Sequence, residues 1–283
     1  LRAPIISSID KARLMQYDPV KRQLGVVFDR TPFLRKLFYR LLDLLLLRAW
    51  HIHRELRAWA RDKRHRELAI YDAGAGFGQY TYWLSGLSRK WSITAIDVKD
   101  EQVADCNRFF QRIGRPQVRF EVGDVTKFQR PDTFELVVCV DVMEHILEDE
   151  AALRCYSTSL KPGGMLIIST PSDQGGSDVH EEGEGSFIEE HVRDGYNIDD
   201  IRAKCLRNGF SKVEARYSYG APGKISWRLS MKWPLLMLNT SRLFFVVLPV
   251  YYLVAYPIAF VLNMADVRMQ HPTGTGLIVK AWK

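Results

Sequence analysis

The 283-residue chain has only four cysteines, and no two of them form a Cys-x-x-Cys pair. This scarcity excludes a disulfide-stapled scaffold and gives no support to a structural zinc site. Residues 1–10 also lack the basic start and apolar run of a secretory signal. We therefore expect a cytoplasmic protein in a reducing compartment, with its thiols as small buried side chains. The cysteines are Cys106, Cys139, Cys155 and Cys205.

Positive charge is unevenly distributed along the chain, although the formal net charge is +7. Residues 1–68 hold 16 Lys and Arg against 7 Asp and Glu, and residues 221–273 hold 5 against 1. Residues 69–220 reverse the balance, with 17 against 25. Because the basic flanks are rich in apolar residues and the centre is acidic, we expect no nucleic-acid partner.

The central part of the sequence alternates apolar runs with amphipathic stretches. Strands are predicted at residues 68–73, 92–98, 117–122, 134–140, 164–169, 211–219 and 275–282. Helices are predicted near residues 78–88, 100–113 and 145–160 and after Asn197. This alternation predicts an α/β fold whose parallel sheet carries helices on both faces.

A glycine-rich turn follows the first predicted strand, in the sequence Asp72-Ala73-Gly74-Ala75-Gly76-Phe77-Gly78. Glycines at such a turn allow a tight bend and a close approach of the backbone to a ligand. The NAD-binding motif G-x-G-x-x-G requires a third glycine where this chain has Gln79, so the turn does not match an NAD-binding site.

Aspartates also lie at or directly after the carboxyl ends of the next three predicted strands, at Asp97, Asp124 and Asp141. Each one alone is typical of a helix N-cap or a turn. Together they are expected to converge on one crevice at the carboxyl edge of the sheet. There, Asp97 can accept hydrogen bonds from ribose hydroxyls and Asp124 can meet an adenine amine.

With these motifs, residues 66–220 and the last strand resemble the class I S-adenosylmethionine-dependent methyltransferases. The resemblance implies a Rossmann-like seven-stranded mixed sheet in the order 3-2-1-4-5-7-6, with the last strand antiparallel. It implies S-adenosyl-L-methionine as cofactor, held by Asp72, Ala73, Gly74, Gly76, Gly78, Asp97, Val98, Asp124, Val125 and Asp141. The stretches Glu144-His145-Ile146 and Lys161-Pro162-Gly163-Gly164 resemble the branch that acts on quinones and other lipid-like acceptors.

The long connection at residues 172–196 offers candidates for a base, which an O or C acceptor needs in order to lose its proton. His191 is the first candidate, because residues 191–196 resemble a His-x-Arg-x-Gly-Tyr stretch of these enzymes. His180 and Tyr196 are weaker candidates. His180 also fits a solvated loop histidine, and the 191–196 stretch also fits a structural role. The length and glycine content of the connection predict a mobile lid.

A Mg²⁺ site is a further hypothesis, because Asp141, Glu144 and His145 have the i, i+3, i+4 spacing of one helical face. Some quinone O-methyltransferases of similar sequence hold Mg²⁺ on Glu-x-x-Glu-His at this point. Here Asp141 replaces the first glutamate with a shorter side chain, and packing or capping near the cofactor is the favoured role for Glu144 and His145.

The stretch at residues 243–264 contains no charged residue and is long enough to span a bilayer. It lies between two strands of one sheet, however, so a single crossing would separate them. We expect Pro249 and Pro257 to break the run, and the segment either to lie in the membrane plane or to form a shallow re-entrant bend.

A basic amphipathic helix is predicted to start at Thr31-Pro32, which is typical of an element that binds an anionic membrane surface. We therefore divide the chain into a basic flank (1–65), a methyltransferase domain (66–220 and 274–283) and a hydrophobic helical insertion (221–273). The prediction is a peripheral enzyme on the inner face of a membrane with a lipophilic acceptor. The alternatives are a soluble small-molecule methyltransferase that forms a homodimer through its flanks, and a non-catalytic membrane scaffold.

Overall fold

The computed structural model describes residues 31–175, 192–241 and 243–283. Seven strands in these residues form one sheet in the order β3-β2-β1-β4-β5-β7-β6. The strands are β1 (Leu68–Ala73), β2 (Trp91–Asp97), β3 (Val118–Val122), β4 (Phe134–Val140), β5 (Leu160–Pro171), β6 (Lys212–Ser218) and β7 (Gly276–Trp282). Strand β7 runs antiparallel to β5 and β6, and the other neighbours are parallel. The predicted fold class, strand order and antiparallel last strand are confirmed.

Helices cover both faces of this sheet. They are α1 (Pro32–Leu45), α2 (Leu47–Ala60), α3 (Gln79–Leu87), α4 (Asp100–Arg112), α5 (Asp149–Ser159), α6 (Ile198–Arg207), α7 (Ala221–Trp227), α8 (Trp233–Thr240) and α9 (Phe244–Arg268). A 3-10 turn covers Met143–His145, and a π-helical turn covers Arg228–Lys232 between α7 and α8. Helices α5 and α6 contribute to the core on one face, and α2, α3 and α4 contribute on the other.

The core follows the two-residue period of the strands. In β1, Ile70 joins the cluster on the α2 side and Tyr71 joins the cluster on the α5 side. In β4, Val138 joins the cluster on the α2 side and Val137 joins the cluster on the α5 side. All of these side chains are fully buried, as expected for a parallel sheet that is covered on both faces. The four cysteines are free and buried, which confirms their predicted role.

The N-terminal helices pack directly on this core. Thr31 caps α1 by accepting the Leu34 N–H, and Pro32 is the first helical residue, as the sequence predicts. The chain leaves helical geometry at Leu46 and continues as α2. Ile52 and Leu56 of α2 are fully buried in the cluster that contains β1 and β2 side chains. The second part of the basic flank therefore belongs to the core.

The uncharged stretch forms the single helix α9, which contains both Pro249 and Pro257. The expectation that these prolines break the run is wrong. Each proline removes one helical N–H donor, but α9 is held to the body on either side of Pro257. The Tyr251 and Tyr252 hydroxyls donate to main-chain carbonyls of the π-helical turn, at 2.6 and 2.8 Å. Further along, Ser226 of α7 donates to the Asn263 amide oxygen at 2.6 Å.

Candidate functional site

The carboxyl ends of β1, β2 and β4 meet at one edge of the sheet. Ala73 pairs with Ile96 of β2 on one side and with Cys139 of β4 on the other. The glycine-rich turn, Asp97 and Asp141 therefore follow three neighbouring strands at the same level. The crevice predicted from the sequence lies at this edge, where open α/β sheets bind their ligands.

The glycine-rich turn adopts the left-handed backbone that its glycines permit. The φ angles of Gly74, Gly76 and Gly78 are 73°, 51° and 79°. The Gly74 and Ala75 N–H groups both donate to the Ile96 carbonyl, at 2.9 and 3.0 Å. A side chain at Gly74 would collide with Val142, whereas a Cβ at Gly76 would meet nothing within 4 Å. The turn thus leaves open space over Gly76, which fits a ligand that contacts the backbone closely.

Asp72 supports the turn from below. Its carboxylate is 3% exposed and lies within hydrogen-bond distance of the Thr81 hydroxyl in the first turn of α3. Burial raises the pKa of Asp72 to about 6, and the hydrogen bond from Thr81 opposes that rise. The observed contacts make Asp72 a residue that ties β1 to α3 beneath the turn.

Asp97, at the end of β2, faces the turn. Its carboxylate accepts the Gly76 N–H at 2.8 Å and the Lys99 N–H at 3.0 Å. The residue is half-buried, and its neighbour Val98 is 58% exposed. Each carboxylate oxygen can accept more than one hydrogen bond, so Asp97 keeps acceptor capacity for the ribose hydroxyls that the resemblance assigns to it.

Asp124 and Val125 follow β3. One Asp124 carboxylate oxygen accepts both the Thr126 N–H and its hydroxyl, at 2.9 and 2.7 Å. The hydrogen bond from the Thr126 hydroxyl lowers the pKa of Asp124, so the group is ionised at neutral pH. Lys127 lies 3.3 Å from the other oxygen. Val125 is buried and belongs to the core cluster on the α5 side of the sheet.

Asp141 lies immediately after β4 in a left-handed conformation with φ 52°, which is uncommon for a residue with a side chain. It forms an ion pair with Arg48 from the N-terminal flank. The backbone N–H of Arg48 donates to the Tyr219 hydroxyl at 2.9 Å. Burial raises the pKa values of Tyr219 and Tyr80 to about 12, an effect that Arg48 opposes in both, so both phenols are neutral.

Arg48, Tyr80 and Tyr219 were not predicted as site residues. Arg48 follows a run of leucines at the start of α2, and Tyr219 follows β6. No local motif marks either residue, because only the packing of α2 against the sheet edge brings them to Asp141.

The proposed metal ligands are not gathered on one helical face. The chain forms a 3-10 turn at Met143–His145, and α5 begins only at Asp149, so Asp141 lies outside any helix. Glu144 is 2% exposed and accepts the Thr170 hydroxyl at 3.1 Å, while His145 is exposed. Among residues 31–175, 192–241 and 243–283, no three His, Cys, Asp or Glu side chains cluster so as to hold a metal. Asp141, Glu144 and His145 therefore do not share one helical face, and these three side chains form no common metal cluster in the described part of the chain.

Tyr196 is the only one of the three predicted base residues that the structure describes. Its hydroxyl lies 2.8 Å from the Asp149 carboxylate and 3.1 Å from the Met143 carbonyl, and the residue is buried. Asp149 also pairs with Arg193 and Lys204. These contacts join the end of the 172–196 connection to α5 and α6. His180 and His191 lie outside the described residues, so their role and the predicted lid remain predictions.

Residues 70–164 match a protein family described as "Methyltransferase domain". The chain is also 33% identical over 107 residues to the human protein "Ubiquinone biosynthesis O-methyltransferase, mitochondrial". That match covers 36% of this chain and 28% of the human protein, so the similarity spans well under half of either sequence.

Two solved structures share the fold. One is phosphoethanolamine N-methyltransferase 2 of Haemonchus contortus, with a TM-score of 0.58, 15% identity, and coverage of 87% of this chain and 60% of that one. The other is an S-adenosylmethionine-dependent methyltransferase from Mesorhizobium loti, with a TM-score of 0.52, 18% identity, and coverage of 84% and 100%. The family match identifies residues 70–164 as a methyltransferase domain, and the strand order and the glycine-rich turn agree with the fold of the solved methyltransferases.

Proposed function

We propose that this protein transfers a methyl group from S-adenosylmethionine to a hydroxyl or carbon of a lipophilic, quinone-type acceptor at a membrane surface. The cofactor supplies an activated methyl group on its sulfonium. Asp97 and the backbone around Gly76 would hold the ribose and methionine parts, and Asp124 would meet the adenine. The likeness to the human ubiquinone-biosynthesis O-methyltransferase supports a hydroxylated ring as acceptor.

The membrane part of the proposal rests on one observation. Helix α9 buries small and polar residues and exposes large apolar ones, which is the reverse of an ordinary surface helix. Its inward face holds the small or polar residues Ala255, Ala259, Asn263 and Asp266, all of them buried. Its outward face holds large apolar residues, at Val246, Val250, Leu253, Val254 and Val261. Leu253 is 75% exposed and Val246 is 78% exposed. A continuous apolar face of this kind is suited to lipid and costly in water.

The sheet topology favours an in-plane position for α9. Among the described residues, the Val246–Arg268 part of this helix is the one stretch long and apolar enough to cross a membrane. Strands β6 and β7, which precede and follow the insertion, pair with each other over Lys212–Ser218 and Gly276–Trp282. A single crossing would place these paired strands on opposite sides of a bilayer. An in-plane helix avoids that conflict.

Helix α1 extends the same surface. Phe33, Leu37, Leu41 and Leu44 share one face of α1 and are exposed. Trp50 of α2 connects the two helices, because its indole donates to the Leu44 carbonyl and its ring packs 5.0 Å from Phe260 of α9. The excess of Lys and Arg in both flanks favours anionic lipid. Delivery of a lipophilic acceptor would then occur beside the carboxyl edge of the sheet, where Arg48 joins α2 to Asp141.

Vesicle flotation tests the membrane contact. The variant Leu253→Glu/Val254→Glu places two charges on the outward face of α9, whereas Leu206→Glu alters an exposed leucine of α6 as a control. We expect wild type and control to float with vesicles that contain phosphatidylglycerol, and the α9 variant to bind at least about tenfold more weakly. Equal flotation of all three proteins would refute a lipid-facing α9.

The alternative of a dimer interface on the same face predicts a different result. In that case, size-exclusion chromatography with light scattering would show a homodimer that the α9 variant converts to a monomer, and no protein would float. We expect the wild type to float whatever its oligomeric state.

A further inference from the structure

Arg48 places a positive charge beside Asp141, where the sequence predicts a metal ion. The guanidinium pairs with Asp141 at the end of β4, the first of the three proposed Mg²⁺ ligands. Glu144, the second, is buried; one of its carboxylate oxygens accepts the Thr170 hydroxyl at 3.1 Å, and the carboxyl lies close enough to Arg48 to interact with its charge. The described residues thus provide a fixed cation beside Asp141 where a metal-dependent relative would need a bound one.

Two buried polar atoms in this region make no hydrogen bond of good geometry, although the side chains that carry them lie close enough to interact with each other. They are the Nε of Arg48 and the hydroxyl oxygen of Tyr80. Buried donors without partners are costly, and in a binding site a ligand can satisfy them. The Arg48 side chain is nevertheless 37% exposed, so part of the guanidinium is reachable from outside. An incoming oxygen atom could accept from the exposed part of the guanidinium, with the Tyr80 hydroxyl beside it.

The charge balance also favours an anion. Arg48 and Asp141 neutralise each other, and the tyrosines nearby are neutral. The resemblance places Asp141 near the sulfonium, which brings one further positive charge. When the cofactor is bound, its sulfonium would add a second positive charge beside Arg48, and the two together would stabilise an acceptor oxyanion despite the nearby Asp141 and Glu144 carboxyls.

We propose that Arg48, assisted by the Tyr80 hydroxyl, binds and positions the ionised hydroxyl of the acceptor without a divalent metal. This inference rests on the proposed methyltransferase function. The acceptor O–H bond breaks and its proton passes to solvent as the oxyanion settles against the guanidinium. The oxyanion then forms the O–CH₃ bond while the S–CH₃ bond breaks with its electron pair, which leaves a neutral thioether.

Binding of 4-nitrocatechol, a hydroxylated ring whose absorbance reports ionisation, tests this role apart from turnover. The full-length protein is titrated with the probe in the presence of S-adenosylhomocysteine, with EDTA or with Mg²⁺. We expect wild type to bind the ionised probe equally well in both buffers. Arg48→Gln should weaken probe binding about tenfold or more, and Arg48→Lys should restore part of it. Arg112→Gln, at an exposed position of α4, should bind as wild type does.

The affinity for S-adenosylhomocysteine separates positioning from misfolding. It should stay within about twofold of wild type in the Arg48 variants. If Arg48→Gln unfolds because Asp141 loses its partner, Arg48→Gln/Asp141→Asn removes both charges and should show the same loss of probe binding.

Two results would overturn the proposal: probe binding that requires Mg²⁺, or undiminished binding by a folded Arg48→Gln variant. The proposed function fails in a separate way. Absence of methyl transfer to any hydroxylated ring, together with the expected Arg48-dependent binding of the probe, would refute the enzyme and leave the Arg48 site standing.

Discussion

Alanine substitutions at Gly74 and Gly76 should separate a packing role from a ligand-binding role within one turn. Both glycines have positive φ, at 73° and 51°, so each alanine incurs about 1–2 kcal/mol of backbone strain. A Cβ at position 74 would also lie 2.8 Å from one Val142 methyl carbon and closer still to the other. Overpacking of this kind adds about 1–3 kcal/mol. Position 76 has nothing within 4 Å and adds no clash.

We therefore expect Gly76→Ala to lower the free energy of unfolding by about 1–2 kcal/mol and Gly74→Ala by about 2–5 kcal/mol. Urea denaturation followed by circular dichroism measures both losses. In calorimetric titration with S-adenosylhomocysteine, by contrast, we expect Gly76→Ala to lose more affinity than Gly74→Ala does. The methyl group added by Gly76→Ala would enter the open space over the turn, so this variant should lose at least about tenfold in affinity while it remains folded.

The double variant Gly74→Ala/Val142→Ala supplies the control. Removal of the Val142 methyl groups should recover part of the stability lost by Gly74→Ala, with a favourable coupling of about 1 kcal/mol or more. Equal stability of the two single variants would refute the clash at position 74. Undiminished affinity of Gly76→Ala for S-adenosylhomocysteine would refute the assignment of this turn to the cofactor.

Two further substitutions test the structural contacts. Tyr196→Phe removes the hydrogen bond to Asp149 and should lower the free energy of unfolding by about 1–3 kcal/mol in urea titrations, without changing the affinity for S-adenosylhomocysteine. A large loss of methyl transfer at unchanged stability would instead identify Tyr196 as the base. Burial lowers the pKa of His53 to about 3, so the folded protein resists protonation of this residue and loses stability as the pH falls from 6.5 toward 3. Wild type should lose about 2 kcal/mol more than His53→Phe between pH 7 and pH 5, and parallel losses in urea titrations at the two pH values would contradict this.

Local sequence patterns are sufficient to predict the strands of the sheet and the residues on the cofactor side of the crevice. The period of apolar residues marks each strand, and Gly74, Gly76 and Asp97 occur at strand ends that the sheet order brings together. Sequence could not reveal Arg48 at Asp141, because that contact joins residues far apart in the chain and depends on how α2 packs. The spacing of Asp141 and Glu144 suggested a helix, but the chain leaves β4 through a left-handed residue and a 3-10 turn.

The prediction that prolines break the helix of the insertion is wrong for a different reason. Pro249 and Pro257 are local helix breakers, yet α9 persists because tertiary hydrogen bonds from Tyr251, Tyr252 and Ser226 hold it. Its charge-free sequence indicated an apolar environment. Only the structure shows that the small and polar residues face inward and the large apolar residues face outward.

The most direct test of the central claim is transfer of a labelled methyl group to a lipid. Purified full-length protein is incubated with S-adenosylmethionine that carries a trideuterated methyl group, together with membrane lipid extract, and the products are examined by mass spectrometry. We predict a labelled, hydroxylated-ring lipid whose formation is abolished in Asp97→Ala. Tight binding of S-adenosylhomocysteine without any labelled lipid product would contradict the proposed function and favour a non-catalytic cofactor-binding scaffold.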